Sequence, residues 1–186
     1  KYQIITGYPT YSITAGMRSQ ANIIRNKILK NGAKKIVCVL DENSLDDERW
    51  HTGHNLQKEN YEFVLEELLR NNDLGIIFKP KYGYNLRSRI GDAKYLLEKA
   101  INTGRCFIYD ELQDNRFKVT KATPVLAALS ADLVIHAHLC AGTAAIETAI
   151  NDIPTILIDR ENIKKSLFYD LMDENIIFQD WQSAIE

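Results

Sequence analysis

The chain has 186 residues, 45% hydrophobic and 26% charged, with a formal net charge of -2. That balance is ordinary for one globular domain with a sizeable core, and it excludes a global field that would gather nucleic acid or anionic lipid. No apolar run approaches the ~20 residues of a membrane span, and the start does not read as a signal peptide.

The opening residues, "YQIITG" (2–7), read as a short strand or linker, and Pro9 leads into a polar loop. Because the chain starts at Lys1 without Met or a clear domain start, a piece of a longer protein is expected. Over 14–30, Met17, Ala21, Ile24 and Ile28 recur at helical spacing, and Gly32 follows as a stop signal. "KKIVCVLD" (34–41) is the continuous apolar run of a central parallel strand covered on both faces. Residues 42–55 form a polar loop, long for a strand-to-helix connection. Tyr61, Val64, Leu65 and Leu68 then line one face of a helix. "LGIIFKP" (74–80) is the next strand, ended by Pro80. A basic, aromatic loop (81–92) leads to a helix over 93–101, and Gly104 closes it. "RCFIYD" (105–110) is a strand and 111–121 irregular. Thr123 caps a short helix over 123–131 that has Pro124 at its first position. "DLVIHA" is a strand, 142–151 a helix, 155–159 a strand. A helix near 164–173, a strand at 176–178 and the start of a last helix complete the pattern. The alternation predicts one doubly wound, Rossmann-like α/β domain with a parallel sheet of about six strands. Residues 1–33 serve as linker and first helix, and 34–186 form the core.

Ligands of such sheets bind outside the carboxyl ends of the strands. The loops at 41–55, 80–92, 110–121 and 136–143 therefore share the rim of interest. On that rim "CAGTAAIE" opens a helix. Its N–H groups form an anion site, Gly142 allows close backbone approach, and Thr143 adds a hydroxyl. Glu147, four residues on, leans back over that turn. A diphosphate on the helix end and a ribose diol on the carboxylate would satisfy both; an acid serving its own helix dipole is the plainer alternative. Lys79 and Lys81 at a strand exit are phosphate ligands or solvated charges. Arg87 and Arg89 can clamp phosphate or simply lead into a helix. His138 is placed for a phosphate or sugar contact, and His136 for the core. His-x-His with Cys140 lacks zinc spacing, so no metal is expected. His51 and His54, in the long loop, are the candidate bases. Asp41 joins them should the chain act alone. Cys38, Cys106 and Cys140, an odd count without CxxC, give no disulfide framework and suit a reducing, cytoplasmic compartment.

"SADLVIHAHLCAGTAAIETAINDIPTILID" (130–159) resembles the donor-binding region of GT-B fold glycosyltransferases, above all those that build bacterial capsule and lipopolysaccharide. "LGIIFKPKYG" (74–83) resembles the strand end of capsule and teichoic-acid type transferases, with Lys79 and Pro80 matching and Lys81 in place of a histidine. "ITGYPTYSI" resembles the linker by which a chain enters this domain. The resemblance implies a C-terminal donor-binding half: Gly142 and Thr143 touch nucleotide-sugar phosphates and Glu147 the ribose. Ala141 stands where a serine is common. In that family the region of "YDELQDN" frames the base through backbone groups, and Tyr109 would stack on it. The implied activity is glycosyl transfer in polysaccharide biosynthesis, without metal or other cofactor. A glycan or lipid-linked acceptor would be held by a domain before Lys1. Such an enzyme is cytoplasmic, with at most peripheral contact with the inner face of the membrane.

A GT-B-fold epimerase or nucleotide-sugar hydrolase, and a non-catalytic α/β interaction module, are the competing readings. No GxGxxG, GxxxxGK[ST], GxSxG or HExxH occurs, which disfavours a dehydrogenase, a P-loop ATPase, an α/β-hydrolase and a zincin.

Overall fold

The computed structural model describes residues 16–45, 53–109 and 122–185. Its strands are β1 (Lys35–Leu40), β2 (Leu74–Lys79), β3 (Cys106–Ile108), β4 (Leu133–His136), β5 (Thr155–Ile158) and β6 (Ile177–Phe178). Its helices are α1 (Met17–Lys30), α2 (His54–Arg70), α3 (Leu86–Arg89), α4 (Lys94–Asn102), α5 (Pro124–Ala128), α6 (Thr143–Ala149) and α7 (Trp181–Ile185). The strands form one six-stranded sheet in the order β3-β2-β1-β4-β5-β6, and every pairing is parallel. This is the doubly wound order, in which the chain reverses direction between β1 and β4.

Alternation along the strands sorts side chains to the two faces. Ile36, Cys38, Leu40, Ile77 and Val134 pack with Ala21 and Ile28 of α1 and Leu126 of α5. Val39, Ile76, Phe78 and Ile135 pack with Tyr61, Leu65 and Leu68 of α2 and Leu97 of α4. Gly75 is a contact glycine: a Cβ there would overlap the Ile28 side chain, so α1 sits closer to β2 than any larger residue would allow.

The face over β1 is less closed than the apolar run of 34–41 implies. Between α2 and α7 a groove of about 320 Å³ reaches Val37, Val39, Leu133 and Ile135.

Polar bonds fasten the layers. Asp132 accepts from Arg25 Nη2 at 2.6 Å and from the Ile36 N–H at 2.8 Å, tying α1 and β1 to the start of β4. Partial burial pushes the Asp132 carboxyl up, but the Arg25 guanidinium and the Ile36 N–H outweigh it and hold it below the ordinary carboxylate value. The buried Arg105 donates to the carbonyls of Leu68 (3.1 Å), Asn71 (2.7 Å) and Leu74 (2.6 Å), closing the end of α2 where carbonyls lack helical partners. Thr123 caps α5, its hydroxyl accepting from the Leu126 N–H at 3.1 Å with Pro124 behind it.

Three local readings change. The 81–92 segment is a chain of short helices, Gly83–Asn85, α3 and Gly91–Ala93, because the buried Leu86 and Ile90 anchor it in the core. The helix expected near 164–173 begins three residues later, as a 3₁₀ helix over Leu167–Glu174. His54 is the first residue of α2 and not part of the preceding loop. No helix among the described residues is long and apolar enough to cross a membrane.

Candidate functional site

The chain reversal places the exits of β1 and β4 side by side, and a buried polar network fills the space between them. β1 ends in Leu40, so the next residue, Asp41, points to the α2 face. The first turns of α2 present Gln57, Asn60 and Tyr61 there, all buried. These residues continue, toward the helix start, the face that carries Val64, Leu65 and Leu68. Asp41 Oδ2 accepts from Gln57 Nε2 (2.7 Å), Tyr61 Oη (2.8 Å) and Arg89 Nη2 (3.4 Å), and Oδ1 from the Lys81 N–H (2.6 Å). The carboxylate is thus saturated with donors. Burial above all, then the Asp41 charge, pushes the Tyr61 phenol well above its ordinary value.

The network extends both ways. Arg89, with 4% of its side chain exposed, also reaches the Glu42 carbonyl, Ser44 Oγ and the Tyr82 carbonyl. Ser44 Oγ lies 2.8 Å from His54 Nδ1. In the other direction, Gln57 Oε1 lies 2.7 Å from His138 Nε2. His138 Nδ1 is 3.8 Å from Glu161 Oε2, which accepts from Cys140 Sγ at 3.4 Å. Burial first, then the Glu161 charge, pushes the exposed Cys140 thiol up to about 12. Such a thiol is a poor nucleophile. Cys38 is buried and its thiol is raised by desolvation, against the lowering effect of Lys79.

Lys79 ends β2 in register with Leu40, which pairs on its other side with His136. It is buried and donates to the Pro80 carbonyl at 2.7 Å. Two strand spacings put it roughly 10 Å from the β4 exit. Lys81 pairs with Glu42. His136 is a core residue whose Nδ1 accepts from the His138 N–H at 3.2 Å.

At the start of α6, Thr143 is exposed and Gly142 buried. The group that approaches Gly142 closely is the Phe168 ring, which a Cβ would overlap. Glu147 is half-buried one turn into α6. The fully buried polar side chain of this helix is its neighbour Thr148, bonded to the Ala145 carbonyl and to Thr155 Oγ1.

Two expected contributors sit elsewhere. Arg87 pairs with Glu98 on the outer side of α4, and it is Arg89, two residues on, that turns inward. Tyr109 is buried on the α1/α5 side, its ring edge-on to Phe107 at 4.9 Å and its hydroxyl 3.4 Å from Ser130 Oγ, so its faces are not open for a base to stack on. His51 and the 111–121 segment lie outside the described residues. Among the described residues no group of three His, Cys, Asp or Glu gathers in a way that could hold a metal ion.

No protein-family model, curated protein or solved structure matches the chain.

The members reasoning from the sequence missed are Gln57, Tyr61 as a polar group, Glu42, Ser44 and Glu161. The signal available for Gln57 was its position four residues before Tyr61, on the same helical face.

Proposed function

We propose that this domain binds a nucleotide-sugar at the crevice between the β1 and β4 exits and serves as the donor half of a GT-B type glycosyltransferase of bacterial surface polysaccharide synthesis. The observation that carries it is the coincidence of the chain reversal with Lys79, His138, Gly142 and Thr143, all at the carboxyl edge of a parallel sheet. In this reading Lys79 and the Thr143 hydroxyl face the phosphates, Glu147 accepts from the ribose, and His138 borders the sugar. Catalysis is electrostatic support of the departing nucleotide by prepositioned donors, with no metal called upon. The acceptor, a glycan or a lipid-linked glycan, is held by a further domain.

One observation favours a second reading. Asp41, Glu42 and Glu161 gather acids at the same crevice, as a nucleotide-sugar hydrolase or epimerase of this fold would need. Calorimetric titration of the 186-residue chain with nucleoside diphosphates and nucleotide-sugars tests the shared donor site. Release of free or epimerised sugar against transfer to a glycan separates the two enzymes. An absence of nucleotide binding at millimolar concentration would leave only an interaction module.

A further inference from the structure

The orientation of one amide fixes the protonation geometry of the crevice. The Asp41 carboxylate can only accept, so the Gln57 group 2.7 Å from its Oδ2 must be the NH₂. Gln57 Oε1 is then the atom 2.7 Å from His138 Nε2. A carbonyl oxygen accepts, so that nitrogen carries the proton. Tyr61, Arg89 and the Lys81 N–H all donate to the same carboxylate, which leaves the amide no reason to reverse. Gln57 and His138 are both wholly buried, and water cannot scramble the assignment.

We propose that Asp41 and Gln57 are positioning residues for His138: they keep a proton on its Nε2 and turn its Nδ1 toward Glu161. Nδ1 lies 3.8 Å from Glu161 Oε2, and Glu161, with 19% of its side chain exposed, is the outward member of the pair.

Nitrogen-15 NMR of histidine-labelled protein at about pH 8.5, above the range in which an imidazole ordinarily takes a second proton, reads the tautomer directly. His138→Gln identifies the signal by its loss. The expected result is a His138 imidazole protonated at Nε2, with that proton slow to exchange with water. In Gln57→Leu, exchange should quicken by at least about tenfold while amide protection in the β1–β4 core is kept. Asp41→Asn should do the same where it folds; Gln57→Leu, which leaves Asp41 three donors, is the variant that decides. A His138 whose Nε2 carries no proton, or an Nε2 proton equally protected in Gln57→Leu, overturns the relay. An intact relay in a protein that binds no nucleotide overturns the transferase reading and leaves the relay standing.

Discussion

Asp41 shows how much one residue at a strand exit can organise. Its partner Arg89 has 4% of its side chain exposed. Removing the carboxylate strands that guanidinium in a place where water cannot reach it, and breaking such a pair costs about 3–5 kcal/mol. Asp41→Ala should therefore lower the melting temperature by roughly 6–20 °C for a domain of this size, checked by calorimetry; a change of under a degree would show that Arg89 finds other partners. Cys140 makes the opposite point, since its exposure suggests reactivity that its surroundings deny. Burial and the Glu161 charge raise the thiol to about 12, so at pH 8 very little thiolate exists. Alkylation by iodoacetamide should be slow. Glu161→Gln removes the charge and should speed it, and a slower variant would contradict this account. Neither residue's role was legible beforehand. Asp41 was legible only as a fallback base, and its organising role was not, because its donors come from positions 57, 61, 81 and 89, and no local period connects them.

At the scale of elements, the apolar runs of β1, β2 and β4 and the Thr123-Pro124 cap were legible because each is a local pattern. The short helices of 83–93 were not, since Leu86 and Ile90 become core only when α2 and α4 are in place. The layers should respond to targeted changes. Arg105→Met removes the guanidinium whose Nη1 is shared among three carbonyls between α2 and β2, and should cost about 1.5–3 kcal/mol in denaturant unfolding, with an unchanged dependence on denaturant. The Arg25–Asp132 pair should make stability depend on acid. The Asp132 carboxyl is held below its ordinary value when folded. Its contribution is therefore present above the unfolded pKa of about 3.9 and is lost as pH falls through the folded one. Arg25→Met should lower stability by about 0.5–1 kcal/mol at pH 7, in keeping with a partly exposed pair, and the gap to the parent should shrink below about pH 4. A gap that is constant with pH would assign the effect to packing. Gly142 also belongs here. Its role was read as access for a ligand, whereas the structure seats the Phe168 ring on it.

Among the described residues, two places where a ligand could lie differ in chemistry. The groove of about 320 Å³ between α2 and α7 is lined by Val37, Val39, Ile135 and Trp181 over the sheet face. The crevice at the β1 and β4 exits is polar, with buried charges held by specific bonds. Topology favours the crevice, because there the connections leaving two adjacent strands run to opposite faces of the sheet. Trp181 makes the distinction measurable. Its indole Nε1–H donates to Asn60 Oδ1 at 2.8 Å, which gives one well-placed NMR signal beside the groove. On adding UDP-glucose or a cytidine nucleotide-sugar, amides of 41–45, 79–92 and 137–143 should shift while the Trp181 indole signal stays still. Thr143→Val should weaken that binding by about 0.5–1.5 kcal/mol, the net value of a hydrogen bond. Glu147→Ala should weaken it more, since a charged acceptor bonded to hydroxyls is the stronger interaction. A shift of the Trp181 indole with a silent rim would move the ligand to the groove and end the case for Thr143 and Glu147. A rim that shifts equally in Thr143→Val and Glu147→Ala would keep the crevice but place the nucleotide nearer to Lys79 and Arg89, on the β2 side of β1.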